Sequence, residues 1–435
     1  MSRMHAFAAL PCLLVAGVAQ AAVSGPELDA AAKAITPRMI EWRRDFHQNP
    51  ELSNREFRTS EKVAAHLKSL GLEVKTQVAH TGVLAVLRGG QPGPVVALRA
   101  DMDALPVREQ VDVPFKSTAT TEYRGEKVGV MHACGHDAHT AILLGTAKAL
   151  ASVRQDLPGT VLFVFQPAEE GAPDGERGGA PLMLEEGAFD IVKPEVAFGL
   201  HVWSTLNAGL VGYRSGSFMA ASDRFRILVK GRQTHGSRPW GGVDPIVVSS
   251  QIVMGLQTIV SRQIDITRYP AVVSIGAIKG GIRNNIIPDE VEMIGTFRTF
   301  DPAVRKQIIE RITRTAEDIA HAGGATATVE IADDNNPVVV NEARLTERML
   351  PSLEHVAGAG RVVEMPYVTG AEDFAFFGLR VPSLFFFVGS TPAGVDAPQA
   401  PSNHSPKFFL DESSLDLGLR AMLGVTVDYL QGTRR

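Results

Sequence analysis

The stretch Val161-Leu-Phe-Val-Phe-Gln-Pro-Ala-Glu-Glu170 decides the fold of this chain, because an unbroken apolar run is followed at once by polar residues. A strand that is apolar on both faces is typical of a parallel sheet packed between helices. Residues 196–202 repeat this pattern, and residues 138–151 are predicted to form a helix. The sequence therefore predicts an α/β fold around a mainly parallel sheet, with ligands beyond the carboxyl ends of its strands.

The first part of the chain adds a helix and three strands to this picture. Ser53-Asn-Arg-Glu56 has the form of a capping box and predicts a helix that ends near Leu70. Strands are predicted at residues 72–78, 83–87 and 95–99. Asp101 and Asp103 follow the last of these strands, so we expect both at the ligand-binding edge.

The pattern of elements changes near residue 215. Strands, helices and strands then follow in the order β-α-β-β-α-β, at residues 225–229, 245–264, 272–278, 291–297, 302–321 and 326–331. This is the order of a ferredoxin-like unit. We expect a catalytic domain in two parts, residues 22–214 and 326–435, with an inserted α+β lid and dimerisation domain at residues 215–325.

Bulk properties restrict the compartment and the partners. Residues 1–21 predict a signal peptide, because a short apolar run precedes the small-x-small site Ala19-Gln-Ala21. We therefore expect an exported protein, periplasmic or secreted, without a membrane anchor after cleavage. The formal net charge of −5 argues against a nucleic-acid partner. Cys134 is the one cysteine left after Ala21, so no intramolecular disulfide can form.

His132-Ala-Cys-Gly-His-Asp-Ala-His139 carries the densest chemistry of the chain. Cys134 is either a small buried apolar residue or a metal-bound thiolate, and its imidazole neighbours favour the thiolate. His136 lies two residues later, and in an extended loop such residues point the same way. The spacing therefore predicts that Cys134 and His136 reach one metal site.

Glu169 and Glu170 are adjacent carboxylates behind a buried strand. They are either a solvated loop pair or a functional pair, and their position favours the second reading. Neighbours on an extended chain diverge, so one can bind metal while the other faces substrate as a general base. His201 and His404 are individually weak candidates, but together they complete the ligand count for two metals.

The order and spacing of these motifs resemble the amidohydrolase subfamily of the aminoacylase/carboxypeptidase metallopeptidases. That subfamily includes hippurate hydrolases, N-acyl-amino-acid amidohydrolases and indoleacetyl-amino-acid hydrolases. Besides the motifs quoted above, the resemblance runs through Arg43-Arg-Asp-Phe-His-Gln-Asn-Pro-Glu-Leu52, Leu98-Arg-Ala-Asp-Met-Asp-Ala-Leu-Pro106, Gly199-Leu-His-Val202, Asn285-Ile-Ile-Pro-Asp289, Gly370-Ala-Glu-Asp-Phe374 and Asn403-His-Ser-Pro406.

The resemblance implies a site for two divalent metal ions, zinc, manganese, nickel or cobalt. The implied ligands are Cys134, His136, Glu170, His201 and His404. Glu169 would be the general base, and Asp103 would orient a ligand. Asp101 stands where the wider superfamily has a histidine ligand, so either a metal-site role or strand-end capping is open for it.

The resemblance also assigns residues of the lid. His235 matches a histidine that reaches the active site of a partner subunit, which implies a homodimer. Asn285 and Arg298 match residues that hold a substrate carboxylate, with a β-turn asparagine and a surface arginine as the alternatives. Trp240 stands where the family usually has histidine, which leaves the acyl preference open.

We expect an amidohydrolase that cleaves N-acyl or N-aroyl amino acids by metal-activated water. A dipeptidase or carboxypeptidase with the same site is the near alternative. A non-catalytic metal-binding protein is the alternative from another class, and it has no use for the spare carboxylate of Glu169.

Overall fold

The computed structural model describes residue 23, residues 25–333 and residues 335–432, so the predicted signal peptide lies outside the described residues. The helices are α1 Gly25–Gln48, α2 Phe57–Ser69, α3 His136–Ser152, α4 Gly179–Glu185, α5 Pro245–Thr258, α6 Pro302–Ala322, α7 Ala343–Ala357, α8 Ala375–Gly378 and α9 Ser413–Leu430. Within the described ranges, no helix has the length and apolar character needed to cross a membrane.

The strands follow the predicted positions closely and extend several of them. They are β1 Glu73–Val78, β2 Gly82–Arg88, β3 Gln91–Asp101, β4 Thr120–Tyr123, β5 Glu126–Gly129, β6 Pro158–Gln166, β7 Val196–Asn207, β8 Val211–Tyr213, β9 Gly216–Met219, β10 Ala221–Lys230, β11 Thr234–His235, β12 Val272–Gly280, β13 Ile286–Ile287, β14 Glu290–Thr299, β15 Thr326–Ile331, β16 Val339–Asn341, β17 Val362–Glu364 and β18 Ser383–Thr391.

The larger sheet has the order β1-β2-β6-β3-β7-β18-β8-β17 and confirms the predicted α/β class. Its centre is parallel, from β6 through β3 and β7 to β18. β1 and β2 are antiparallel, since the few residues between them suit a hairpin and leave no room for a crossover helix. Helices α1, α3 and α9 contribute to the buried core on one face of this sheet.

The smaller sheet has the order β12-β14-β10-β15 and carries α5 and α6 against it. The predicted ferredoxin-like unit is therefore present. Its last strand, β15, is antiparallel to β10 from Thr326 to Ile331. The domain boundary predicted at residue 325 is thus too early, because hydrogen bonding places the whole of β15 in the smaller domain.

The predicted capping box at the start of α2 is wrong. The helix begins at Phe57, and neither Ser53 nor Glu56 caps it through its side chain. Glu51 does so instead, because its carboxylate accepts hydrogen bonds from the backbone N–H groups of Arg58 and Thr59. Ser53 and Glu56 are buried and turn towards other segments.

Candidate active site

Four segments meet beyond the carboxyl ends of the central strands. Cys134 precedes α3, Glu170 follows β6, His201 lies within β7, and His404 lies in the loop before α9. The Cys134 sulfur is 3.3 Å from Nε2 of His201 and 3.2 Å from Nε2 of His404. His404 Nε2 also lies 3.0 Å from Oε1 of Glu170. The fold therefore brings these side chains into one cluster.

The cluster contains two ligand sets that share one sulfur. One set is Cys134, His136 and His201, and the other is Cys134, Glu170 and His404. In each set the candidate ligand atoms lie within 4.8 Å of one another. A shared thiolate between two sets of nitrogen and oxygen donors is the arrangement that a pair of bridged cations needs.

Gly135 allows Cys134 and His136 to converge. Its φ of 93° is left-handed, and it forms the N-cap of α3. A Cβ atom at this position would lie 2.3 Å from Cγ2 of Val202. The prediction of an extended loop was therefore wrong. The two ligands meet because a glycine turn leads directly into the helix, where any other residue would be strained and would clash.

Hydrogen bonds set the ring orientation of two histidines. His201 Nδ1 lies 2.7 Å from the carbonyl oxygen of Val202 and donates to it, and His136 Nδ1 lies 3.3 Å from Oδ1 of Asp103. Both Nε2 atoms are then free to act as ligands. His136 Nε2 is buried without a hydrogen-bond partner. Because buried polar atoms are normally paired, this atom fits a bound cation.

Glu169 and Glu170 lie in a turn behind β6, not on an extended chain. Their backbone N–H groups donate to the two carboxylate oxygens of Asp103, at 3.2 and 3.0 Å. Each carboxylate comes within 4.0 Å of His136 Nε2. The predicted divergence is thus only partial. Beyond His136, Glu169 faces Glu372 and Asp373, whereas Glu170 faces Cys134 and His404.

In the absence of a cation, burial and neighbouring charges shift the pKa values of several groups in this cluster. Burial raises the pKa of Glu169 well above its usual value, and the carboxylates of Glu372 and Glu170 raise it further. Burial together with Glu170 and Glu169 likewise raises the pKa of the Cys134 thiol. Although burial opposes it, the charge of Asp101 helps to raise the pKa of His136 to about 10. Divalent cations would favour the deprotonated form of each group.

These pKa values predict that metal binding releases protons and strengthens as pH rises. At neutral pH the metal-free protein keeps a proton on His136 and on the Cys134 thiol, whereas burial lowers the pKa of His201 and leaves it neutral. Binding should therefore release one proton from each of these two ligands near pH 7. Calorimetry in buffers of different ionisation enthalpy measures this number. Affinity that is independent of pH between 6 and 8 would contradict the assignment of ligands.

A second set of buried charged residues adjoins the cluster, and Asp101 is the only one of them for which the sequence suggested a role. Arg99 donates to Asp101 at 2.6 Å, to Glu372 at 2.8 Å and to Asp373 at 3.0 Å. Asp101 also accepts from Nδ1 of His139, whose Nε2 accepts from the backbone of Val202. Asp101 therefore supports strand ends, and it also forms a group of potential metal ligands with His136 and His139. The signal was present in the motifs around residues 98–106 and 370–374, but only the fold joins them.

Asn403 is another support that was missed. Its side-chain amide donates to the carbonyl oxygens of Cys134 and Val202, both at 3.1 Å, and its carbonyl accepts from the backbone of Ser204. It thereby ties the loop of His404 to two other ligand segments. His404 itself has a left-handed φ of 71°, and its side chain is 56% exposed.

The predicted lid residues lie apart from this cluster in the single chain. His235 is exposed, and its Nδ1 accepts from the backbone N–H of Ser237. β11 and β13 pair beside it, so Asn285 lies on the neighbouring loop. Arg298 donates to the Thr296 hydroxyl and to a backbone carbonyl. Among the described residues, none of the three belongs to a group of potential metal ligands.

Comparison with known proteins agrees with this architecture. The model of "Peptidase family M20/M25/M40" matches residues 97–427. Thermostable carboxypeptidase 2 of Saccharolobus solfataricus is 42% identical over 89% of this chain and 94% of its own length. N-acetylcysteine deacetylase of Bacillus subtilis is 38% identical over 92% of this chain and 99% of its own length.

A solved structure has the same fold over almost the whole chain. The Bacillus subtilis YXEP protein, a dinuclear metal binding peptidase from the M20 family, superposes with a TM-score of 0.76 at 36% identity. The match covers 92% of this chain and 100% of that chain. Similarity of this extent shows that the protein is an amidohydrolase of the peptidase family M20/M25/M40, as its motifs predicted.

Proposed function

We propose that the protein hydrolyses the amide bond of N-acyl or N-aroyl amino acids with two divalent cations, zinc, manganese, nickel or cobalt. The observation that carries this proposal is the combination of two ligand sets around Cys134 with one carboxylate, Glu169, that both sets leave out. A structural metal site has no use for such a carboxylate, whereas hydrolysis requires a base beside the activated water.

Divalent cations held by this cluster would supply Lewis acidity, which polarises an amide carbonyl and lowers the pKa of bound water to about 7. Glu169 accepts the proton as the water oxygen bonds to the carbonyl carbon, and the carbonyl π electrons move to its oxygen. Collapse of this adduct re-forms the carbonyl and breaks the C–N bond. Glu169 then donates its proton to the leaving nitrogen, and its raised pKa suits both transfers.

Arg298 and Asn285 are proposed to hold the carboxylate of the amino-acid part. Arg298 is half-buried, and burial lowers the pKa of its guanidinium. In the described part of the chain, no ion pair to a carboxylate is found for it. A half-buried arginine whose hydrogen bonds go to neutral groups favours a bidentate anionic ligand. This supports a substrate with a free carboxylate next to the scissile amide.

A carboxypeptidase or dipeptidase is the second candidate, and the 42% identity to thermostable carboxypeptidase 2 favours it. The two candidates differ in what lies on the acyl side of the amide. Purified protein loaded with manganese should therefore be offered hippurate, N-acetyl amino acids and unblocked dipeptides in parallel. Our proposal expects the blocked substrates to be cleaved with the higher kcat/KM. Preference for unblocked dipeptides would support the second candidate.

A homodimer in which His235 completes the active site of the partner is also proposed. His235 lies apart from the metal cluster of its own chain, and the lid exposes Trp240 at 76% and Ile282 at 98% on neighbouring loops. Surfaces this apolar are usually covered. His235 would stabilise the oxyanion that develops on the carbonyl oxygen.

Mixed dimers test this shared site. A Glu169→Gln chain and a His235→Ala chain should each be inactive alone, but a mixed dimer contains one site with both residues intact. We therefore expect partial recovery of activity after subunit exchange. Exchange without recovery would refute the shared site, and a monomer by light scattering would refute the dimer.

A further inference from the structure

Ser53 and Glu56, which do not cap α2, hold the turn that carries Glu169. The Glu56 side chain is fully buried, and its Oε1 accepts a hydrogen bond of 2.9 Å from the backbone N–H of Ala168. Its Oε2 accepts one of 2.5 Å from the hydroxyl of Thr81. The hydroxyl of Ser53 donates at 2.7 Å to Asp103, the carboxylate that binds the next two amides of the turn.

Three consecutive backbone amides are therefore bound by two buried carboxylates. The amide of Ala168 is bound by Glu56, and the amides of Glu169 and Glu170 are bound by Asp103. The segment of residues 53–56 supplies one of these carboxylates, that of Glu56. Its Ser53 donates a hydrogen bond to the other, that of Asp103. This segment thus determines the path of the backbone that leads into the two glutamates.

Backbone strain is concentrated where these segments meet. Ala168 has a φ of 53°, and Ala79 and His80, directly before Thr81, have φ values of 49° and 76°. Asn54, two residues before Glu56, has a φ of 59°. The left-handed conformation is unfavourable by itself for the two alanines, Ala168 and Ala79, and persists there only where neighbouring contacts enforce it. The carboxylate of Glu56 links these segments, because it accepts hydrogen bonds from the backbone of Ala168 and from the hydroxyl of Thr81.

We propose that Glu56 is a positioning residue for catalysis. By binding the amide of Ala168 it keeps that residue left-handed, and this places Glu169 beside His136 while Glu170 faces Cys134. The role depends on the acceptor oxygen beside Ala168, so an isosteric amide can fill it in part. The inference rests on the proposed function, because it gives Glu56 its effect through the base Glu169.

Glu56→Ala, Glu56→Gln and Glu51→Ala test this role together. Glu51 is the matched control, since it is a nearby glutamate that also binds backbone amides, but those of α2. We expect Glu56→Ala to lower kcat for hippurate by about 100-fold with little change in KM, as a misplaced base does. Glu56→Gln should restore most of this loss. Glu51→Ala should lower the melting temperature and leave kcat near that of the wild type.

Hydrogen exchange gives a readout that does not depend on turnover. In metal-loaded protein, Glu56→Ala should speed exchange in the peptide that contains residues 168–170, and Glu51→Ala should speed it only near residues 58–59. Should Glu56→Ala fail to fold, Thr81→Val removes one of the two hydrogen bonds of Glu56. It should give a smaller fall in kcat and faster exchange at residues 168–170.

Two results would overturn the inference. One is unchanged kcat and unchanged exchange at residues 168–170 in Glu56→Ala or in Thr81→Val. The other is an equal loss of kcat in Glu56→Ala and Glu56→Gln, because the acceptor geometry would then not matter. Failure of the proposed function is distinguishable, since it would appear as full turnover by Glu169→Gln whatever the Glu56 variants do.

Discussion

Glu169→Gln is expected to abolish turnover while the protein keeps its two metal ions. The carboxylates of Glu169 and Glu170 both lie within 4.0 Å of His136 Nε2. Glu169 otherwise faces Glu372 and Asp373 and belongs to neither ligand set of Cys134. Loss of a general base costs about 100- to 10,000-fold in kcat. Because this base also generates the nucleophile, we expect the upper end of that range. Steady-state kinetics on hippurate and metal analysis of the same sample measure both quantities.

Glu170→Gln is the matched control, because it makes the same change one residue later. Glu170 forms a ligand set with Cys134 and His404, so its variant should lose metal as well as activity. Different metal contents in the two variants would support the division of roles. Near-normal activity of Glu169→Gln with both metals bound would show that another group is the base.

Cys134→Ala is expected to remove metal and activity together, because the sulfur belongs to both ligand sets. Structural zinc in peptides contributes about 10–16 kcal/mol at pH 7, and loss of a shared ligand weakens both sites at once. Apo-protein titration with zinc measures the affinity. Cys134→Ser keeps the size of the side chain and should show the same loss, since a hydroxyl is a poor substitute for thiolate.

The reactivity of this thiol provides an independent check. Cys134 is buried, and it is the one cysteine after the predicted signal peptide. The protein should be treated with a thiol oxidant with and without metal, and its activity measured after the oxidant is removed and metal is added back. Treatment of the metal-free protein should destroy this activity faster, because bound cations occupy the sulfur. Equal rates of inactivation with and without metal would show that the sulfur is not a ligand.

The sequence predicted the fold where a local pattern had one physical explanation. The apolar run of β6 could only be a strand covered on both faces, and the change of pattern near residue 215 marked the inserted domain. Asp103, Glu170 and His201 were predicted at one edge because parallel strands bring their carboxyl ends together, whereas Cys134 and His136 were predicted from their spacing. Those side chains do meet in the structure.

Backbone geometry was not predictable in the same way. Cys134 and His136 converge through the left-handed Gly135, and the pair Glu169–Glu170 lies in a turn that Asp103 binds. The pattern Ser53–Glu56 has the residue types of a capping box, but tertiary contacts with Asp103 and Ala168 compete for both side chains. Local sequence alone does not contain these partners.

The roles of the lid residues could not be predicted from the residues around them. Nothing in the sequence around His235 or Arg298 says which active site they serve, and the single chain keeps His235 apart from its own metal cluster. Their roles came from the family resemblance alone. The mixed-dimer experiment is therefore the direct test of the role proposed for His235.

Anomalous diffraction from crystals of the zinc-loaded protein would locate the two cations that Cys134 is proposed to share. We expect two anomalous peaks, each at about 2.3 Å from Sγ of Cys134, with His136 and His201 at one peak and Glu170 and His404 at the other. The carboxylate of Glu169 should not coordinate the zinc ion at either peak. A single peak, or two peaks of which one lies away from the Cys134 sulfur, would contradict the account.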